Sequence, residues 1–174
     1  MTRPLTSGEI GILSQIFIGM LPYEKLQVGI NSWELGGEDN SITPAGIPYM
    51  ARKIYHEDYS QASIHDFWVF MHEHVHVWQY FHGDMVTVQG IGLVINTMGS
   101  GYHSAYPYVL EPGKTFGNYN FEQQASIVPD YWFTWIGQPP KKNVGPNRDY
   151  WDYMEVMGEF WSAGPPLPIY PGRA

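Results

Sequence analysis

Residues 72 to 76 read His-Glu-His-Val-His, which places two histidines four residues apart and a glutamate directly after the first. On an α-helix, residues four apart share a face, so His72 and His76 can both present an imidazole nitrogen to one ion. Glu73 would lie beside that ion, where its carboxylate can take a proton from a zinc-activated water and return it to a leaving amine. The motif predicts a zinc hydrolase centre with Glu73 as general base.

This geometry requires a helix, and the surrounding residues indicate one. Ser63 is a candidate N-cap with Asp66 three residues later, and Gly83 stands where a left-handed residue can end the helix. Apolar side chains recur between these ends at helical spacing: Ile64, Phe67, Trp68, Met71, Val75 and Trp78. We therefore expect a buried core helix that carries its own row of ligands.

Two other histidines on this segment have less specific interpretations. On a strand, His74 would share a face with His72 and His76, but the caps and the apolar row favour a helix, on which His74 points away from the ligands. We expect it to be packed or solvent-facing. His65, seven residues before His72, lies near the ligand row and could contact substrate or fill an ordinary first-turn position.

A catalytic zinc site normally has three protein ligands and an open position. The chain contains no cysteine, so the third ligand must be His, Asp or Glu. Glu122 is the first candidate, because it follows Asn120, which with Gln123 forms a helix-capping pattern, and a helix N-terminus favours a carboxylate. Asp130, two turns later, is the alternative.

A tetrahedral oxyanion also needs a hydrogen-bond donor besides the ion. Tyr106 and Tyr108 would share one face of a short predicted strand, Ser104–Leu110, and His103 is close by in sequence. Any of the three could contact the transition state or substrate. Packing in the core or along a groove is the alternative for each.

Length and charge restrict the class of protein. At 174 residues we expect one domain over residues 1–174, with a proline-rich tail from about residue 164. A net charge of −8 argues against nucleic acid or an anionic membrane surface as partner and favours a peptide or protein substrate. The sequence has no apolar run long enough to insert into a membrane and no signal-like N-terminus, so we expect synthesis in the cytoplasm without ordinary export.

The remaining pattern predicts several helices and few strands, and therefore an α+β fold with a small antiparallel or mixed sheet. The predicted elements outside the motif helix are a helix over residues 8–20 capped by Ser7, strands at Lys25–Asn31 and Ile47–Tyr55, and a last helix at Arg148–Trp161.

Three stretches of the chain resemble the gluzincin-like metallopeptidase domains found on or beside Vgr spike proteins of bacterial type VI secretion. They are Leu5-Thr6 with Glu9 and Ile16-Phe17; residues 70–79, Phe-Met-His-Glu-His-Val-His-Val-Trp-Gln; and residues 119–128, Tyr-Asn-Phe-Glu-Gln-Gln-Ala-Ser-Ile-Val, followed by Asp130-Tyr131. Together these stretches are much more specific than the histidine motif alone.

The resemblance implies a zincin-like fold in which a second helix carries the third ligand. It implies one catalytic zinc ion held by His72, His76 and Glu122, with Glu73 as base. It also implies an antibacterial effector that is delivered to a rival cell and acts in its periplasm, with a secretion-spike protein and an immunity protein as partners. The chain departs from the pattern at His74, where such domains often have an apolar residue, and at Pro129, which we expect to kink or end the second helix.

Two alternative functions remain open on the sequence. Zinc could be a structural or recognition element, which would make the chain a binding module or cargo adaptor of the spike. The hydrolysed bond could also belong to cell-wall peptide rather than protein.

Overall fold

The computed structural model describes residues 1–31, 39–83, 105–146 and 149–164. His103, Ser104 and the proline-rich tail after Gly164 lie outside these ranges. The described part contains four α-helices and a three-stranded sheet, and the predicted α+β class is confirmed. The elements are β1 Thr2–Pro4, α1 Ser7–Phe17, β2 Gln27–Ile30, β3 Tyr49–Met50, α2 Ile64–Phe81, α3 Phe121–Trp135 and α4 Tyr150–Ser162.

The sheet is small and mixed. Its order is β1-β2-β3, with β1 and β2 antiparallel and β2 and β3 parallel. The first predicted strand is confirmed with shorter bounds. The second was predicted over Ile47–Tyr55, but only Tyr49–Met50 pairs, because the chain enters a 3-10 turn at Arg52–Ile54.

The N-cap of helix α1 is Thr6, one residue before the predicted cap Ser7. The Thr6 hydroxyl accepts a hydrogen bond from the Glu9 backbone, and the Glu9 carboxylate accepts one from the Thr6 backbone. Glu9 is fully buried and is also bound by Arg3 at 2.7 Å. The helix ends three residues before the predicted residue 20, because Ile18 adopts a left-handed conformation with φ of 41°.

Helix α2 forms where the motif required it. Ser63 caps it by accepting a hydrogen bond from the Asp66 backbone at 3.1 Å, and Gly83 beyond its end has a positive φ of 75°. The predicted apolar row is buried except for Ile64, which is 38% exposed. His82 at the C-terminal end contacts the Trp78 carbonyl at 2.9 Å.

Helix α3 packs against α2 and begins at the predicted cap, Asn120, with the reciprocal partner Gln123. It continues through Pro129 to Trp135, so of the two expected effects of the proline, a kink or an end, the second is wrong. A proline inside a helix removes one backbone hydrogen bond and costs about 3 kcal/mol. Here Pro129 is buried, and the next residue, Asp130, accepts four hydrogen bonds, which stabilise this part of the helix.

The C-terminal part of the described chain is organised around α4. Asp149 caps this helix, which matches the predicted position closely. The predicted strand Ser104–Leu110 is not present in its described residues, 105–110, which contribute only an isolated bridge between Tyr108 and Asn143. Over the described ranges, no helix has the length and apolar character needed to cross a bilayer.

Candidate metal centre

The two histidines of the motif converge with Glu122 between α2 and α3. The Oε2 atom of Glu122 lies 3.2 Å from His72 Nε2 and 3.4 Å from His76 Nε2. The three potential ligand atoms all lie within 4.8 Å of one another. Both histidines are buried and Glu122 is partly buried, so the cluster is largely removed from solvent.

His76 is oriented by a glutamine one turn later on α2. The distance from His76 Nδ1 to Gln79 Oε1 is 2.7 Å, and because an amide oxygen only accepts, His76 Nδ1 carries the proton. Nε2 faces Glu122 and is the ring nitrogen that a metal ion could bind after displacing its proton.

The same glutamine connects the motif helix to the start of α3. Gln79 Nε2 donates to the Phe121 carbonyl at 3.1 Å and to Gln124 Oε1 at 3.0 Å. Gln124 Nε2 donates in turn to the carbonyls of Phe116 and Tyr119. This chain of amides fixes the first turn of α3, which carries Glu122, relative to the histidines.

The charges of the cluster stabilise each other strongly. Burial alone would lower the pKa of His76, but the nearby Glu122 carboxylate more than offsets this and raises it to about 9. Burial would raise the pKa of Glu122, but His76 and His72 outweigh it and hold the pKa well below its usual range. Without a metal ion, the centre therefore holds a proton at neutral pH that an incoming cation must replace.

Glu73 is held from outside its own helix. The Thr43 hydroxyl donates to Glu73 Oε2 at 2.6 Å, and both residues are buried. Thr43 precedes a 3-10 turn, Pro44–Gly46, that packs on α2. Gly46 has φ of 74°, and a Cβ there would meet the Tyr80 ring at 2.5 Å, so only glycine permits this close approach.

A cavity of about 240 Å³ opens beside the cluster. His72 and Glu73 line it together with aromatic side chains on either side of His72. The Trp68 ring stacks on the His72 ring at 5.3 Å between centroids, and the Tyr106 ring lies 5.6 Å from it. Tyr106 is thus the sequence-predicted tyrosine that the structure brings to the centre.

Asp130, the alternative third ligand, lies outside the cluster. Its carboxylate accepts hydrogen bonds from the Trp68 indole at 2.8 Å and the Tyr108 hydroxyl at 2.7 Å. The backbone amides of Lys141 and Lys142 donate to it at 2.7 and 2.8 Å. These four donors use its lone pairs for structure, while burial raises its pKa.

The other candidate residues are also placed away from the cluster. Tyr108 is buried, and its hydroxyl is shared between Asp130 and Tyr153. His65 is exposed and contacts the Phe133 ring, outside the cavity. His74 points into the core, and its Nδ1 lies 2.7 Å from the Phe70 carbonyl. His103 falls outside the described residues.

An α+β fold with a His-His-Glu cluster between two helices, and a second glutamate alongside, defines a candidate metalloprotein centre. The fold is similar to the solved effector domain of Pseudomonas aeruginosa VgrG2b, with a TM-score of 0.67 and 27% identity over 91% of this chain and 81% of that one. The sequence is similar to the type VI secretion system spike protein VgrG2b of P. aeruginosa PAO1, with 34% identity over 133 residues. That match covers 74% of this chain and 13% of the spike protein.

The chain therefore spans only a small part of the spike protein that it matches, and it is related to that protein's effector domain. No family model matches the chain.

Proposed function

We propose that the chain is a zinc metallopeptidase that acts as an effector of type VI secretion. The observation that supports it most is the cluster of His72, His76 and Glu122, with Glu73 beside it at the wall of a cavity. Two imidazole nitrogens and a carboxylate are the ligand set of one class of catalytic zinc sites.

The side chains present fit a zinc ion. The proton on His76 Nδ1 leaves Nε2 available as a ligand, and the amide chain through Gln79 and Gln124 supports the ligands from behind. When bound, the ion supplies Lewis acidity, which polarises a carbonyl and acidifies a water.

In the proposed reaction the residues of the chain have separate roles. His72, His76 and Glu122 hold the ion. Glu73 takes the proton from water and delivers it to the leaving amine, and the Thr43 hydroxyl fixes the carboxylate for both transfers. Trp68 and Tyr106 limit access of bulk water to His72 from two sides.

The biological setting is proposed from the relatives. Both the matched spike protein and the matched solved domain are named for VgrG2b, and the solved domain is described as an effector domain. We therefore propose delivery by a type VI spike, action in the periplasm of a target cell, and an immunity protein in the producing cell. The whole chain, residues 1–174, would serve as one catalytic domain.

Metal content is the first experiment. Elemental analysis of the protein purified without added metal should give about one zinc per chain, and much less for His76→Ala and Glu122→Ala. If His76→Ala loses zinc and Glu122→Ala keeps it, the third ligand is a residue other than Glu122. A wild-type protein that never retains zinc would contradict the proposal.

Glu73→Gln separates an enzyme from a zinc-binding adaptor. The enzyme predicts that this variant keeps its zinc and loses proteolysis and toxicity, because the amide cannot accept the proton. An unchanged biological effect would favour the adaptor. Parallel incubation of wild type with purified sacculi and with a denatured protein mixture distinguishes cell-wall peptide from protein as substrate.

A further inference from the structure

Two consecutive lysines flank the candidate metal centre, although the chain carries a net charge of −8. The Lys141 ammonium lies 4.8 Å from the centre of the Trp68 ring, and the Lys142 ammonium lies 5.4 Å from the centre of the Tyr106 ring. Both rings contact His72. Positive charge is therefore concentrated on one side of the cluster, one aromatic ring away from it.

The backbone that carries these lysines is held in place by buried groups. The amides of Lys141 and Lys142 both donate to the fully buried carboxylate of Asp130. The carbonyl of Lys142 accepts from the Tyr108 amide at 3.2 Å, and the Val144 amide donates to the Tyr108 carbonyl at 2.9 Å. Hydrogen bonds therefore fix the backbone of Lys142, unlike that of a lysine on an unsupported surface loop.

Lys142 also lines the cavity that contains His72 and Glu73. Among the described residues, no carboxylate lies within ion-pair distance of its ammonium. The other lysine of the cavity wall, Lys53, has a carboxylate partner and is more exposed. It lies 4.0 Å from Asp39, and its side chain is 69% exposed.

We propose that Lys142 binds a carboxylate of the peptide substrate, within about three residues of the cleaved bond. The Lys142 ammonium lies 5.4 Å from the centre of the Tyr106 ring, which lies 5.6 Å from the centre of the His72 ring. An extended peptide advances roughly 3.3 Å per residue, so about three residues span this separation. Lys142 as a residue is only partly exposed, and a charge shielded from bulk water favours an anionic partner more than a fully exposed charge does. This inference rests on the proposed peptidase function and names its substrate class: peptides with a free carboxylate beside the scissile bond.

Small metal-binding probes test the assignment without knowledge of the natural substrate. The probes are the monohydroxamic acids of succinate, glutarate and adipate, each paired with its primary amide, and calorimetry on zinc-loaded protein measures their affinities. We expect at least one acid to bind wild type about tenfold more tightly than its amide, which corresponds to about 1.4 kcal/mol. The preference should disappear in Lys142→Met and persist in Lys142→Arg.

Lys53→Met is the matched control, because it removes a cavity-wall lysine that already has a partner; it should keep the preference. Equal binding of acids and amides by wild type would overturn the role of Lys142 while leaving the metal centre intact. Failure of every hydroxamate to bind would instead contradict the proposed function, and this inference with it.

Synthetic peptides identify the source of the carboxylate. One set has a free C-terminus and no acidic residue, and the other has an amidated C-terminus with internal Asp or Glu. Cleavage of the first set only indicates recognition of the chain end, and cleavage of the second indicates acidic side chains. In either case kcat/KM should fall about tenfold in Lys142→Met, whereas cleavage of uncharged, amidated peptides at the same rate would refute the proposal.

Discussion

The Thr43 hydroxyl lies 2.6 Å from Glu73 Oε2 and joins the start of the Pro44–Gly46 turn to the carboxylate beside the proposed metal ligands. Thr43→Val keeps the shape of the side chain and removes the donor. Since a hydrogen bond to a charged group contributes about 1.5 to 3 kcal/mol, we expect kcat to fall roughly ten- to hundredfold.

Zinc content should not change in this variant, because Thr43 contacts no ligand. Thr43→Ser supplies the control, since it restores the hydroxyl and should recover most of the rate. Peptide hydrolysis at wild-type speed by the valine variant would show that Glu73 does not depend on this contact.

Gln79 should determine how tightly the centre holds its metal. Gln79→Leu removes the acceptor for His76 Nδ1 and the link to Gln124, so we expect zinc affinity to fall about 10- to 100-fold. Competition with a fluorescent chelator measures the change. Gln15→Leu, at an exposed position of α1, provides a comparison that should leave affinity unaltered.

Asp130 should contribute to stability without contributing a ligand. Asp130→Asn replaces an acceptor of four hydrogen bonds with a group that can accept fewer, which should cost about 2 to 4 kcal/mol of unfolding free energy. Denaturant titration measures this loss. Glu155→Gln, exposed on α4, should have almost no effect. At low temperature, Asp130→Asn should still bind one zinc; loss of zinc from a folded variant would contradict the role assigned here.

His74 should make the metal-free protein sensitive to mild acid. Burial lowers its pKa from 6.5 to about 4; the Phe70 carbonyl and the Glu9 carboxylate raise the pKa by less, and Arg3 lowers it slightly further. Because the folded pKa is depressed, the unfolded chain binds the proton more readily. The contribution of neutral His74 to the free energy of unfolding is therefore fully present above pH 6.5 and is lost as the pH falls towards 4.

His74→Leu removes this titration. Between pH 7.5 and pH 5, wild type should lose about 2 kcal/mol more unfolding free energy than the variant does. Both proteins are measured in chelator, so that the metal ligands titrate equally in each. A parallel decline in the two proteins would show that His74 does not become charged on unfolding.

The part of the site that sequence could predict is local. His72, Glu73 and His76 lie on one helix, and the capping residues and apolar spacing define that helix without reference to the rest of the chain. The capping pattern at Asn120 likewise located the helix of Glu122. These features depend on contacts between residues three or four apart, which periodicity records.

The contacts that sequence could not predict join distant segments. Thr43 meets Glu73 across 30 residues, and Asp130 meets the amides of Lys141 and Lys142 beyond the end of its helix. A threonine or a lysine pair has no local signature of such a partner. Gln79 stood within the most distinctive stretch of the sequence, but its position behind His76 is visible only in three dimensions.

Helix α3 is attached to α2 at two points two turns apart: the amide of Gln124 meets Gln79, and Asp130 meets the Trp68 indole. Neither attachment uses a metal ligand. The spacing of the three proposed ligands is therefore set by contacts within the protein, in contrast to small zinc domains whose folding depends on the ion. We expect the ion to be exchangeable, so that cobalt could replace zinc in the folded protein and report on the centre by its visible absorption.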